Sequence, residues 1–176
     1  MVRALVIYES MFGNTEALAQ VIGAGIRASM PTDVVEVGAA PDVVPSDVTL
    51  LVVGGPTHAF GMSWPSTRRD AAGMTSDVIS RHHGIREWLG ALPGSVTGAD
   101  AATFDTRVTS YITGSAARAA GRRLARLGYR IVVAPASFRV TDVQGPLAEG
   151  ELDRARQWGK TLGTRATATS SGGLTY

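Results

Sequence analysis

Residues 2–15 read Val2-Arg3-Ala4-Leu5-Val6-Ile7-Tyr8-Glu9-Ser10-Met11-Phe12-Gly13-Asn14-Thr15. The first seven are almost all apolar and rich in Val, Leu and Ile, the pattern of a strand buried on both faces. A short polar loop follows, and a helical pattern begins at about Asn14. A strand that runs through such a loop into a helix N-terminus is built to hold an anion. Unpaired backbone N–H groups point outward there, the helix dipole adds partial positive charge, and small side chains allow close approach.

The rest of the chain repeats that alternation. Residues 14–28 place Ala17, Leu18, Val21, Ile22 and Ile26 at helical spacing, and Pro31 ends the helix. Residues 33–37 read as a short strand and 38–46 as a loop. Residues 48–53 form a second fully apolar strand, closed by Gly54-Gly55-Pro56. Residues 55–83 have no apolar period and read as the longest irregular section. Ile85 to Leu92 read as helix, 99–104 as a weaker strand and 105–113 as a polar loop. Residues 114–127 predict a helix closed by Gly128, and Tyr129 to Pro135 a strand able to continue through Phe138, Arg139 and Val140. Residues 149–163 predict a last amphipathic helix, with Leu152, Ala155, Trp158 and Leu162 on its apolar side. The small, polar tail 164–176 predicts disorder, which leaves one domain over 1–163. Apolar strands separated by helices predict an α/β fold, a parallel sheet covered on both faces. Ligands of such sheets sit at the carboxyl ends of the strands, here the loops 9–15, 54–63 and 104–113.

Composition excludes several function classes. The 176 residues suit one domain, and 44% apolar content supports one core. The chain has no cysteine, which rules out disulfides, thiolate metal sites, iron–sulfur clusters and a cysteine nucleophile. No apolar run approaches the ~20 residues of a membrane span. The chain enters its first strand without a leader-like segment. A cytoplasmic protein is expected. Net charge is +2, and Lys160 is the single lysine among otherwise arginine cations. Arg118, Arg122, Arg123, Arg126 and Arg130 cluster, but a nucleic-acid surface calls for a longer basic stripe with stacking aromatics, and none is expected.

The anion is narrowed by what the first loop lacks. There is no P-loop lysine motif, no GxGxxG dinucleotide fingerprint and no GxSxG elbow. The acidic pair, Asp and Lys that a phosphorelay receiver needs at its strand ends are also missing. Ser10-Met11-Phe12-Gly13-Asn14-Thr15 instead resembles the phosphate loop of the flavodoxin family, which binds the phosphate of FMN. Gly54-Gly55-Pro56-Thr57-His58-Ala59-Phe60-Gly61 resembles that family's second flavin loop. Phe104-Asp105-Thr106-Arg107 through Tyr111 resembles the third, and the run from Gly145-Pro146-Leu147 to Leu152 resembles the lead into the last helix.

The resemblance implies a three-layer sandwich around a five-stranded parallel sheet in the order 2-1-3-4-5. It implies an FMN phosphate held at Ser10, Met11, Phe12, Gly13, Asn14 and Thr15. Pro56 and Thr57 would set the second loop against the isoalloxazine, with His58 or Phe60 flanking the ring. Ala59 and Gly61 complete that loop, where Gly61 would let a peptide turn toward flavin N5. Backbone groups of Phe104, Asp105, Thr106 and Arg107 would meet the pyrimidine edge, with Asp105 accepting from flavin N3–H. Tyr111 would either stack on the ring or join the core. The chain differs from typical electron-carrier flavodoxins in being basic and in carrying a long section 62–83 with Trp64, Arg68, Arg69, His82 and His83. That section is either a lid or docking surface, or a structural insert. No third ligand makes His82-His83 a metal site. The implied function is electron transfer through bound FMN to a redox partner protein or a small-molecule acceptor. The alternatives are an FMN-dependent NAD(P)H:quinone-type oxidoreductase and an interaction module that has lost its flavin.

Overall fold

The computed structural model describes residues 1–58, 60–95, 98–108 and 114–171, with side chains described as far as residue 168. The elements run β1 (Arg3–Tyr8), α1 (Asn14–Ile26), β2 (Thr32–Glu36), a 3-10 turn (Val37–Ala39), β3 (Val48–Pro56), α2 (Pro65–Met74), α3 (Ile85–Ala91), β4 (Asp100–Val108), α4 (Ala116–Arg126), β5 (Arg130–Ile131), β6 (Ala136–Val140) and α5 (Glu151–Ser171). Every strand pairing is parallel, and the sheet order is β2-β1-β3-β4-β5, with β6 also on β4.

The strands are apolar throughout because both faces are covered. Ala4, Val6, Leu50, Val52, Ala102 and Phe104 pack under α1 and α5. Their alternates Leu5, Ile7, Leu51, Val53 and Ala101 pack under α3 and α4. Side chains of a strand alternate between faces, so two helical layers need two apolar sets. Phe104, Phe138 and Trp158 meet edge to face, with centroids 6.2–6.3 Å apart. A methyl group on Gly54 would overlap the Phe104 ring, so the glycine makes room for that cluster.

Three elements differ from the sequence reading. The fifth strand is broken. β5 pairs Asp100 and Ala101, β6 pairs Phe104 to Val108, and the break ends at Pro135, which has no N–H to give to the ladder. The section read as irregular contains α2, which buries only Arg68 and Ala71 and so carries no apolar period. Residues 164–171, expected to be disordered, continue α5. Ala166 is in the core, whereas Leu152, expected inside, is 42% exposed. Among the described residues no helix is long and apolar enough to cross a membrane.

Candidate functional site

The loop after β1 is shaped by its own side chains. Gly13 caps α1 at φ 91°, a left-handed conformation that suits glycine. Ser10 Oγ accepts from the Gly13 N–H at 3.1 Å and the Glu16 N–H at 3.3 Å. The N–H groups of Phe12, Asn14 and Thr15 find no acceptor among the described residues. They are orphan donors at a helix N-terminus, and the loop 10–15 that carries them holds no lysine or arginine. Thr15 Oγ1 and Thr106 Oγ1 lie 2.9 Å apart, and Asn14 Nδ2 donates to Gln144 O at 3.1 Å. Ser10, Met11, Phe12, Asn14, Thr15, Pro56, Thr106, Val140 and Val143 enclose a small hollow of about 30 Å³.

That hollow adjoins a larger cavity of about 220 Å³. The two share Met11, Phe12, Pro56, Thr106, Val140 and Val143. The larger one adds Thr57, His58, Arg107, Val108 and Gly114, so one end is a small hollow bordered by the N-terminus of α1 and the other a largely apolar slot. Arg107 is half-buried in its wall and has no carboxylate partner among the described residues. Burial, and secondarily the Arg68 charge, push the His58 imidazole below its ordinary pKa and favour the neutral ring.

A polar network lies under this floor. Glu9, 1% exposed, accepts from the Ser63 hydroxyl and from the Ile85 N–H at 2.8 Å. Arg68, 2% exposed, donates to Ser63 Oγ at 2.8 Å and pairs with Glu87 at 3.1 Å. Burial raises the Glu9 carboxyl above the ordinary carboxylate range, against the opposing pull of Ser63, the Ile85 N–H and Arg68. Ser80 Oγ accepts from the Ser10 N–H at 3.0 Å, and the Ser80 N–H donates to Ser10 O at 2.8 Å. Ile79 N–H reaches Met11 O at 3.3 Å, and Met11 packs on Ala71 and Val78.

No family model matches the sequence, and no curated protein does. Solved structures do match. A flavodoxin from the domain Archaea aligns over 94% of this chain and 99% of its own, at 17% identity and a TM-score of 0.64. Oxidised flavodoxin 2 from Bacillus cereus aligns over 94% and 99%, at 17% identity and a TM-score of 0.67. The flavodiiron protein from Giardia intestinalis aligns over 97% of this chain but 37% of its own, at 18% identity and a TM-score of 0.62. The chain has the flavodoxin fold.

On this flavodoxin fold the expected site residues divide. Ser10, Met11, Phe12, Asn14, Thr15, Pro56, Thr57, His58, Thr106 and Arg107 line the joined cavities. Gly13 supplies the turn beneath them. Phe60 does not line the cavity; it is 75% exposed at the tip of the turn in which His58 and Gly61 exchange backbone hydrogen bonds of 2.8 and 2.9 Å. Phe104 and Asp105 do not line the cavities. Both are fully buried, because β4 runs on to Val108 and they lie inside the strand. The Asp105 carboxylate faces α4, where Oδ2 accepts from Thr57 Oγ1 at 2.9 Å, Ser115 Oγ at 2.5 Å and the Ala117 N–H at 3.1 Å. It ties the second loop to α4. Ala59 and Tyr111 lie outside the described residues.

Val108, Gly114, Val140 and Val143 complete the wall and were missed. A glycine closing a polar loop was the only sequence signal for Gly114, and Val140 read as an ordinary strand end. The 62–83 section resolves as a brace. Its backbone is hydrogen-bonded to the loop after β1 and its Arg68 is buried, while His82 and His83 are exposed. Among the described residues no group of His, Asp and Glu could hold a metal ion.

Proposed function

We propose that this protein binds FMN in the joined cavities and transfers electrons between it and a redox partner protein or small acceptor in the cytoplasm. The observation that carries the reading is the set of orphan N–H donors on Phe12, Asn14 and Thr15, opening directly into an apolar slot. A monophosphate suits neutral donors at a helix end. A triphosphate with its metal would need the lysine and carboxylates this loop lacks. The flavin would supply one- and two-electron chemistry, with the protein tuning it. Thr57, fixed through Asp105 and Ser115, would hold the second loop against the ring. Neutral His58 would add no charge to that loop. Arg107 would place an unpaired cation beside the ring and favour its reduced, more negative form.

Titration with FMN and riboflavin, read by quenching of flavin fluorescence, tests this reading. FMN should bind at least roughly tenfold more tightly than riboflavin, and Gly13→Val should abolish the difference, because a β-branched residue resists positive φ. Equal binding of both flavins, or no quenching, would remove the proposal. In a redox titration, Arg107→Ala should lower the midpoint potential; an unchanged potential would show that the guanidinium does not act on the ring.

A further inference from the structure

We propose that the solvent face of α4 is a docking surface for an acidic electron-transfer protein. The helix reads Ala116-Ala117-Arg118-Ala119-Ala120-Gly121-Arg122-Arg123-Leu124-Ala125-Arg126 and contains no acidic residue. Ala116, Ala117, Ala120, Gly121 and Leu124 are buried on the sheet side. Arg118, Arg122 and Arg126 follow at i, i+4 and i+8 on the opposite side and are exposed. At 1.5 Å per residue they form a stripe about 12 Å long.

None of the three guanidinium groups has an ion-pair or hydrogen-bond partner among the described residues. Residues 109–115, which lead into α4, contain no Asp or Glu. Nearby carboxylates are committed elsewhere. Asp100 pairs with Arg130 at 2.5 Å, Glu87 with Arg68 at 3.1 Å, and Asp105 is buried in its own bonds. Arg123 donates to Leu89 O at 3.2 Å and Gly90 O at 3.3 Å, which places a further positive charge beside the stripe.

The N-terminal part of the stripe works against the helix that carries it, although Arg126 in the last turn suits the helix dipole. Like charges four apart repel, and Arg118 sits in the first turn, where the helix dipole disfavours a cation. Among the described residues no contact offsets either effect, which points to a counter-charge from outside. The stripe also leads to the cavity. Ser115 caps α4, Gly114 before it lines the slot, and the Phe60 backbone packs against Gly114. Phe60, 75% exposed, gives the rim an apolar anchor of the kind that interface centres use, with arginine beside it. Arg118 lies nearest the slot and Arg126 farthest, so contact is made at one end and long-range steering at the other. A protein partner fits better than nucleic acid, since the face offers no run of aromatics on which bases could stack.

That the partner exchanges electrons rests on the flavin reading; that it is acidic does not. The probe is a small acidic [2Fe–2S] ferredoxin, with its binding to the FMN-loaded protein measured by fluorescence anisotropy at low and moderate salt. The comparison set is R118E, R122E, R126E and the triple variant, with the triple Arg→Gln variant as a milder change. Binding should weaken roughly tenfold as salt screens the charges, and the triple charge reversal should cost at least that much. R118E should have the largest single effect and R126E the smallest. FMN quenching should be unchanged throughout. Binding that is independent of salt, a triple variant that binds like the wild type, or a single-stranded DNA oligonucleotide that binds more tightly than ferredoxin at equal salt would each overturn the proposal. If FMN fails to bind any of these proteins, the flavin reading falls, and ferredoxin binding to the flavin-free chain still judges the stripe.

Discussion

Glu9 comes just before the loop 10–15 and was legible only as a flank of it. The structure buries its carboxyl against Ser63, the Ile85 N–H, Arg68 and Glu87, on the face of the sheet away from α1. Nothing in the sequence signals this, because Ser63, Arg68 and Glu87 come from three segments that only the fold brings together. Burial raises the folded pKa of Glu9 above the unfolded value, so the folded state keeps its proton to higher pH than the unfolded chain. The stability this proton confers is complete below the ordinary carboxylate range and is lost as pH rises through the folded value. Glu9→Gln imitates the protonated form and keeps an acceptor for the Ile85 N–H. The wild type should therefore lose melting temperature between about pH 4 and the raised Glu9 value, and Glu9→Gln should lose less over that window. Parallel melting profiles for the two proteins would show that Glu9 does not titrate in it.

α5 shows what element-level periodicity reveals and what it hides. Its first turns were legible because Ala155, Trp158 and Leu162 recur at helical spacing. Its last turns were not, because Thr164-Arg165-Ala166-Thr167 has the composition of a loose tail. The fold answers the threonines locally. Thr161, Thr164 and Thr167 donate to the carbonyls four residues back at 3.0–3.1 Å. Ala166 continues the buried line one turn past Leu162 and is 4% exposed. α2 was hidden for the opposite reason, since an arginine occupies one of its two inward positions. β4 was cut short because Asp105, Thr106 and Arg107 read as loop, although Asp105 is a strand residue whose charge is met by α4. Ending the chain at Gly163 should thus cost stability: about 1–2 kcal/mol from the lost Ala166 burial and helix continuity. At this chain length that is a fall of roughly 2–8 °C in melting temperature. A truncated protein that melts with the full chain would show that residues 164–171 add nothing.

Across the whole molecule, the layer architecture was legible because it is written in continuous strands, and the first two site loops because they interrupt those strands. The far wall of the site was not, since Val140 and Val143 join it only when β6 docks on β4. A site whose walls come from the β1 loop, the β3 loop, the end of β4 and the segment after β6 is intact only when the sheet is assembled. A ligand there should bind the folded chain and not the unfolded one, which links occupancy to global stability. At an FMN concentration about a thousandfold above its dissociation constant, the stabilisation is about 4 kcal/mol. For a chain of this size that amounts to a rise of roughly 8–16 °C in melting temperature. Riboflavin at the same concentration should give a smaller rise, because it leaves the Phe12, Asn14 and Thr15 N–H groups without an acceptor. Scanning calorimetry at graded concentrations of each flavin measures both. An FMN shift equal to that of riboflavin would place any binding in the apolar slot alone and leave the orphan donors of the first loop without their anion.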